Sequence, residues 1–508
     1  MPGATPDGGP WPSRRPLDRP YLPAGPGRCL PGADTLRPHE GVVTADYDLI
    51  VIGSGPAGEK AAAKAAYFGK KVAVVERDDR LGGAPVNRGG IPAKTLRETA
   101  LYMTGFGRSD LYGVEVSFGS DITLDRLRSR AAAESERAGA TVRQNLDRHG
   151  IALVRGSGRL EPGHTVAVTG ADGTVTRLRG AVVLIATGSH PFHPPGIGFD
   201  DPDIDDSDSI LTLDRIPGSI VVVGGGPVGC EYASIYGALG VQVALVDMAD
   251  RLLPFLDAEI SRSLAECFAD SGIRVMLGSP PAAIERGPSG LKVTVGGEVL
   301  SPDKVLFVAG RKGNTDGIGL AEAGVQLDDR GRIQVDAEYR TTVPWVFAAG
   351  DVIGPPALAS VSAEQGRVAA CHAFDIPFKE SVDQLPPFGI YSIPEVGGVG
   401  MSEEQAAAAG IDYTVGTYHF ADNSRSRIAG TTYGLIKLVL RRDDRRLLGV
   451  HIVGEEAAEL IHIGQAVIHA NETIDRFIDT TFNIPTRSEA YKYAAYDALQ
   501  RLAQSPPG

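Results

Sequence analysis

Cysteine is nearly missing from this chain. Four occur in 508 residues, at Cys29, Cys230, Cys267 and Cys371, and no C-x-x-C or C-x4-C pair is among them. A disulfide framework, a thiolate metal site and a local redox pair all need cysteines at close spacing, so none is expected and no metal site is assigned. Scattered thiols suit a reducing cytoplasm, which is the expected location. Long apolar runs are missing too. Nothing approaches the roughly eighteen consecutive apolar residues of a membrane span, so no transmembrane segment is expected. Positive charge is in deficit, 50 Lys and Arg against 63 Asp and Glu, a net charge of −13. That balance speaks against a general nucleic-acid binder. Residues 1–44 lack apolar periodicity; Pro, Gly and Arg dominate them. Such a stretch cannot bury enough surface to offset its ordering entropy. It reads as a disordered arm or an over-extended translation start near Val42 or Val43. The Arg14–Arg15 pair is followed by no apolar segment, so no secretory signal is expected.

What is present is ordinary for a globular protein of several domains: 43% hydrophobic and 22% charged residues. Ordered sequence is expected from Tyr47. Y-D-L-I-V-I-G is a short apolar run of the buried parallel-strand type. Gly53, Gly55 and Gly58 follow as G-x-G-x-x-G, then an Ala-rich helix (59–68), then a strand (71–75) closed by Glu76. In such a unit Gly53 makes the tight turn and Gly55 lets backbone approach a pyrophosphate. Gly58 lets the helix pack on the strand. The helix N-terminus favours phosphate, and Glu76 can accept from ribose hydroxyls. The pattern returns at Gly224, Gly226 and Gly229, again with a helix, a strand and a closing acid, Asp247. In both units the acid follows the third glycine by eighteen residues. Two nucleotide sites in one chain suggest a flavin dinucleotide and a nicotinamide dinucleotide that exchange hydride. Asp247 suits a free ribose 2′-hydroxyl and repels a 2′-phosphate, so NADH is favoured over NADPH. Arg251 is the one nearby cation that could compensate, unless D-R-L-L is a structural turn.

Between the units, helical character runs to about residue 148, with a break near 105–119 and surface-helix spacing over 131–145. Small strands are expected at 153–158, 165–169 and 174–179, and a separate strand over 181–188 that ends in A-T-G. Further on, 435–440 and 447–453 read as antiparallel strands, followed by a helix over about 455–469. His451, His462 and His469 read as packing residues.

The stretch Gly82–Leu96, GGAPVNRGGIPAKTL, carries a family likeness. With the blocks GCEYASIYGALG (229–240), DRLLPFLDAEIS (250–261), AGRKGNTD (309–316), VFAAGDVIGPPALAS (346–360) and TTFNIPTRSEAYKYAA (480–495), it resembles the pyridine nucleotide–disulfide oxidoreductases. Within that family it is most similar to the soluble transhydrogenases. The resemblance implies an α/β fold: two Rossmann-like dinucleotide-binding domains, for FAD and NAD(P), and a C-terminal α+β dimerisation domain. The implied boundaries are 1–44 for the arm, 45–195 and 309–375 for the FAD domain, 196–308 for the NAD(P) domain and 376–508 for the interface domain. A homodimer is implied as well. So are FAD contacts at Gly83, Thr187, Gly188, Gly350 and Asp351, and a domain junction at Gly310 and Arg311. Lys94 would lie near flavin N5, paired with Glu231, as a fixed cation that favours reduced flavin.

The chain departs from the family pattern at three positions. The two redox cysteines are replaced by Pro85 and Gly90, and the acid–base histidine of the C-terminal motif by Ile484; its carboxylate partner remains as Glu489, which the resemblance implies as a candidate catalytic residue together with Lys94 and Glu231. Disulfide, dithiol and mercuric reductase activities are therefore not expected. The expected activity is passage of hydride from NADH through FAD to an oxidised nicotinamide. One alternative sends the electrons to a quinone or another small acceptor. The other is a redox-poor FAD/NAD-binding sensor, against which the retained Lys94 and Glu231 weigh.

Overall fold

The computed structural model describes residues 43–106, 113, 124–213 and 215–504. Of the arm, residues 1–42 lie outside the described residues, and with them Cys29 and the Arg14–Arg15 pair. Most of the 105–119 break lies outside them as well.

Two parallel sheets and one antiparallel sheet organise the described chain. In the first, strands Ala152–Arg155, Val72–Glu76, Val43–Ile52 and Val175–Ile185 pair side by side, and Val346–Ala348 joins the far edge of Val175–Ile185. An antiparallel pair, Ser157–Glu161 and Thr165–Thr169, continues from the same strand. Parallel strands are covered on both faces, which is why I-V-I and V-A-V-V are unbroken apolar runs; Ile50, Val51, Ala73 and Val74 are all fully buried. The second sheet runs Arg274–Met276, Gln242–Val246, Ser219–Val223, Lys304–Phe307 and Ile204–Asp205, all parallel. The third is antiparallel, ordered Phe388–Ile390, Val396–Gly400, Leu447–Val453, Leu435–Arg441 and Tyr413–His419. Helices Ala457–His469 and Ala490–Gln504 pack on it. The fold class is as expected: α/β, with two dinucleotide-binding units and a C-terminal α+β layer.

Four expectations need correction. The strand expected at 153–158 is two, Ala152–Arg155 and Ser157–Glu161, divided at Gly156, whose φ is +141°. The first strand begins at Val43, not Tyr47, because the strand beside it extends far enough to pair Val43 with Arg177 across a bulge. The strands expected at 174–179 and 181–188 are one strand, Val175–Ile185. Gly180 does not break it; a Cβ there would meet Ile50 Cδ1 at 2.8 Å, so the glycine makes room for a core side chain. His462 and His469 are exposed and bond to Gln465 and Asp383, so they are surface groups rather than packing residues. His451 alone is buried, with Nε2 2.9 Å from the Met401 carbonyl.

A buried ion cluster ties the second sheet's layer to the third. Asp257 caps helix Ala258–Asp270 by accepting from Glu259 N–H. It also meets Lys437 Nζ at 3.0 Å; Glu259 lies 3.0 Å and Glu403 2.5 Å from the same nitrogen. Lys437 and Asp257 are 1% and 0% exposed, so this lysine is buried only because carboxylates surround it.

Candidate functional site: two glycine loops joined by an ion pair

Each glycine loop separates what the protein itself needs from what it leaves open. Gly53 has φ +107°, and a Cβ there would lie 2.4 Å from the Ala186 carbonyl oxygen. At Gly58 a Cβ would lie 1.9 Å from the Gly53 oxygen. Packing alone requires both glycines. Gly55 differs: its φ is −64°, open to any residue, and its nearest Cβ neighbour is Gly83 Cα at 3.9 Å. The second loop repeats this. Gly224 has φ +121°, and a Cβ at Gly229 would strike the Gly224 oxygen at 1.7 Å. Around Gly226, at φ −77°, nothing lies within 4 Å. In both loops the middle glycine has no reason inside the protein to be glycine.

The helices that follow, Pro56–Tyr67 and Pro227–Ala238, each begin with proline at their first turn and carry no side-chain cap. Helices elsewhere in the chain do carry one: Asp257 caps Ala258–Asp270 and Ser402 caps Glu403–Ala408. Uncapped N–H groups facing a bare glycine form a site for a diphosphate. The residues therefore fit a dinucleotide at each loop.

The closing acids hold the loops in shape. Glu76 Oε2 accepts from Ser54 N–H at 2.8 Å and from its hydroxyl at 2.6 Å, while Oε1 accepts from Asp78 N–H. Asp247 accepts from Gly225 and Ala249 N–H. Both carboxylates are partly used by the protein, leaving part of their lone-pair capacity for a ligand. Arg251 does not compensate Asp247; its guanidinium turns to the Pro254 carbonyl at 2.7 Å and to Glu404 at 3.8 Å.

The stretch Gly82–Leu96 lies against the first loop. Gly82 N–H donates to Ser54 Oγ, and a Cβ on Gly83 would meet Gly55 Cα at 2.9 Å. A short helix, Gly83–Asn87, leads into helix Ile91–Phe106. Lys94, in the first turn of the latter, reaches Glu231 Oε2 at 2.6 Å. Glu231 sits on the helix of the second glycine loop and is 6% exposed. Its other oxygen accepts from Tyr391 N–H at 3.0 Å, and the Tyr391 ring lies 5.1 Å from Lys94 Nζ. Burial raises the Tyr391 phenol above its ordinary pKa. Beneath this pair Arg97, also buried, bonds to the Ser392 carbonyl and lies 3.0 Å from Glu395. Burial pushes the Glu395 carboxyl up, although Arg97 opposes it.

The remaining predicted residues form a second cluster. Arg311 Nε donates to Ser189 Oγ at 2.9 Å, and Ser189 donates on to Asp351 at 2.8 Å. A further nitrogen of Arg311 reaches Ser207, next to the second sheet's edge strand. Gly310 and Gly350 have φ +152° and +85°; the Gly350 N–H donates to buried Gln365. Asn314 clamps the A-T-G turn, accepting at its carbonyl from Thr187 Oγ1 and donating from its amide to the Thr187 carbonyl. Glu489 stays apart: it is buried, forms a capping box with Thr486, and has no hydrogen bond or ion pair to Lys94 or Glu231. Ile484 is 77% exposed. Sequence reasoning missed Ser54, Ser189, Asn314 and Gln365, because a lone hydroxyl or amide has no local pattern. The one available signal was position: Ser54 lies inside the first glycine motif, and Asn314 inside a quoted block.

Fold and site thus define a two-dinucleotide α/β protein in which an ion pair ties helix Ile91–Phe106 to the helix of the second glycine loop. The pattern of the pyridine nucleotide-disulphide oxidoreductases matches residues 47–366, and that of their dimerisation domain matches 386–495. The chain belongs to the pyridine nucleotide-disulphide oxidoreductase family. It is 43% identical over 459 residues to a soluble pyridine nucleotide transhydrogenase of Mycobacterium tuberculosis, covering 90% of this chain and 98% of that one. It is 39% identical over 465 residues to one of Pseudomonas putida, covering 90% and 99%. Among solved structures it is similar to LpdA of Mycobacterium tuberculosis, with TM-score 0.81, 29% identity, and coverage of 88% and 99%. It is also similar to the HOCl-induced flavoprotein disulfide reductase RclA of Escherichia coli, with TM-score 0.79, 27% identity, and coverage of 88% and 98%. No helix among the described residues is long and apolar enough to cross a membrane, and no group of metal-ligating side chains is present among them.

Proposed function

We propose that this protein is an FAD-dependent NAD(P)H oxidoreductase that passes hydride from NADH to an oxidised nicotinamide, as the name of its transhydrogenase relatives describes. The observation that carries the reading is the repeated bare middle glycine, Gly55 and Gly226, with Lys94–Glu231 tying helix Ile91–Phe106 to the helix of the second loop. FAD, when bound, supplies reversible acceptance of a hydride. Residues 45–195 and 309–375 form its domain, 196–308 the NAD(P) domain and 376–508 the dimer interface. Gly53, Gly55, Gly58, Glu76 and Gly83 hold the FAD dinucleotide end; Thr187, Gly188, Gly310, Arg311, Gly350 and Asp351 hold the rest. Gly224, Gly226, Gly229 and Asp247 hold NAD(H). Lys94, fixed by Glu231, presents a positive charge to the bound flavin and so favours its reduced form. Glu489 acts as a positioning residue, shaping the turn that carries 481–489 toward the partner in a homodimer. No thiol takes part: Gly82–Leu96 contains no cysteine, and the described cysteines are free. Free thiols also support a cytoplasmic site of action.

Anaerobic titration of the flavoprotein followed by acceptor mixing tests this. NADH should bleach the flavin, and an oxidised nicotinamide analogue should restore it. Restoration by a quinone but not by the analogue would replace this reading with a quinone reductase. Absence of bleaching would replace it with a sensor.

A further inference from the structure

A second cavity lies across helix Ile91–Phe106 from Lys94. Pro92 and Leu96 line it, each two residues from Lys94 and hence about 200° around the helix, on its opposite face. Helix Leu124–Arg148 forms the facing wall. Tyr236 and Leu239, on the helix that carries Glu231 and just after it, form the end. The volume is about 530 Å³, within the range of small-ligand sites. None of the nucleotide-loop glycines lines it.

Its lining is apolar with a cationic rim. Leu96, Leu213 and Leu239 supply the apolar body. Arg80 and Arg128 are its charged groups, and no carboxylate lines it among the described residues. Arg80 is partly engaged by Glu136 at 3.1 Å. Arg128 is exposed, bonds only to the Leu213 carbonyl, and has no ion-pair partner among the described residues. Ser135 also lines the cavity. It is 2% exposed, and its buried hydroxyl has no hydrogen-bond partner among the described residues.

We propose that this cavity binds a small organic anion with an apolar body and one carboxylate, and that its occupancy is felt at the Lys94–Glu231 pair. The apolar body lies among the leucines and the carboxylate meets Arg128 at the rim. The two helices that carry Lys94 and Glu231 both wall the cavity, so a ligand there bears on the elements that set the pair. The proposal goes beyond the nicotinamide reaction and uses that reading only for its spectral readout.

The test is calorimetry of the FAD-loaded full chain with 1-naphthoate as probe. One probe per chain should bind, saturating NAD⁺ should not displace it, and the flavin band near 450 nm should shift. R128Q should weaken binding about tenfold, the worth of one charge-assisted contact. 1-Naphthylmethanol, which lacks the charge, should bind wild type that weakly as well. A132W, a change at an exposed wall residue that fills the space, should abolish binding while the protein keeps its FAD. R128Q keeps the proposal testable if A132W misfolds. No binding at millimolar naphthoate, displacement by NAD⁺, or equal affinity in R128Q overturns the site. Binding without a flavin shift overturns the coupling. Binding is read without turnover, so failure of transhydrogenation would not be mistaken for failure of the cavity.

Discussion

Removing the Lys94 charge tests the junction of the two loops most directly. In Lys94→Met the Glu231 carboxylate, 6% exposed, loses its cation at 2.6 Å and keeps one donor, the Tyr391 N–H at 3.0 Å. Breaking a fully buried pair costs about 3–5 kcal/mol. The Lys94 side chain is 32% exposed, so water reaches the gap and the loss shrinks to roughly 2 kcal/mol. Glu231→Gln keeps an oxygen for Tyr391 and gives up only the charge, about 1 kcal/mol. The double variant should then lose less than the sum of the two, with a coupling energy of about 1 kcal/mol. Urea unfolding of the four proteins measures this. Stopped-flow reduction by NADH measures the catalytic side, where a fixed cation is worth roughly tenfold to a hundredfold. FAD should remain bound, because no glycine loop is touched. Additive stabilities together with an unchanged reduction rate would refute the reasoning, since the pair would then be neither buried enough to matter nor coupled to the flavin.

The glycines offer a contrast. Gly226→Ala should fold normally and lose nicotinamide affinity, whereas Gly229→Ala, whose Cβ would sit 1.7 Å from a carbonyl oxygen, should lower the melting temperature or fail to fold. For nucleotide choice, NADH should outperform NADPH in the wild type. Ala249→Arg, beside Asp247, should raise kcat/KM for NADPH about tenfold by supplying the missing cation. The buried cluster gives a pH dependence. Burial pushes the Asp257 carboxyl up, but Lys437 and the hydrogen bonds outweigh it and leave the pKa below the usual 3.8. An acid depressed in the fold stabilises above its unfolded pKa and loses that contribution as pH falls through the folded value. Asp257→Asn should therefore cost stability at pH 7, and the gap to wild type should close below about pH 3.8 in denaturant titrations.

The glycine loops were legible because turn chemistry is local. A strand, three glycines, a helix, a second strand and a closing acid state the fold of each unit within thirty residues. Lys94 and Glu231 are 137 residues apart, and no periodicity connects them; the resemblance did, and the fold brings them to 2.6 Å. Ser189 and Asn314 were out of reach for the same reason: the resemblance block AGRKGNTD contains Asn314 but gives it no role, and no block contains Ser189. Their partners, Asp351 and Thr187, lie in turns 162 and 127 residues away along the chain, and a serine or asparagine reads identically on any surface loop. Gly180 misled because glycine in a strand signals a break as readily as a close neighbour. Arg251 stayed open between two readings, because the direction of a long side chain depends on tertiary partners, here Pro254 and Glu404.

The frame without its cysteines is more than a deletion of thiols. A Cβ on Gly90 would lie 2.2 Å from the Pro85 carbonyl oxygen and 2.6 Å from Pro85 Cα. The two backbones have closed on one another where the family places a disulfide. Gly90 also accepts from Lys94 N–H at 3.0 Å, so it starts the helix that carries the lysine. A disulfide needs Cα atoms about 4.4–6.8 Å apart and side chains free to meet. A cysteine at position 90 would first have to push the segment open. Pro85→Cys/Gly90→Cys should therefore not regain a redox pair. Its two new thiols should stay open to a thiol reagent under air, and overpacking should cost about 1–3 kcal/mol. The strain should also appear as slower flavin reduction by NADH, because the helix start and Lys94 move together. A variant that formed a disulfide, and reduced it with NADH at wild-type flavin rates, would show that the segment is still a vacant disulfide frame and not a wall rebuilt around its absence.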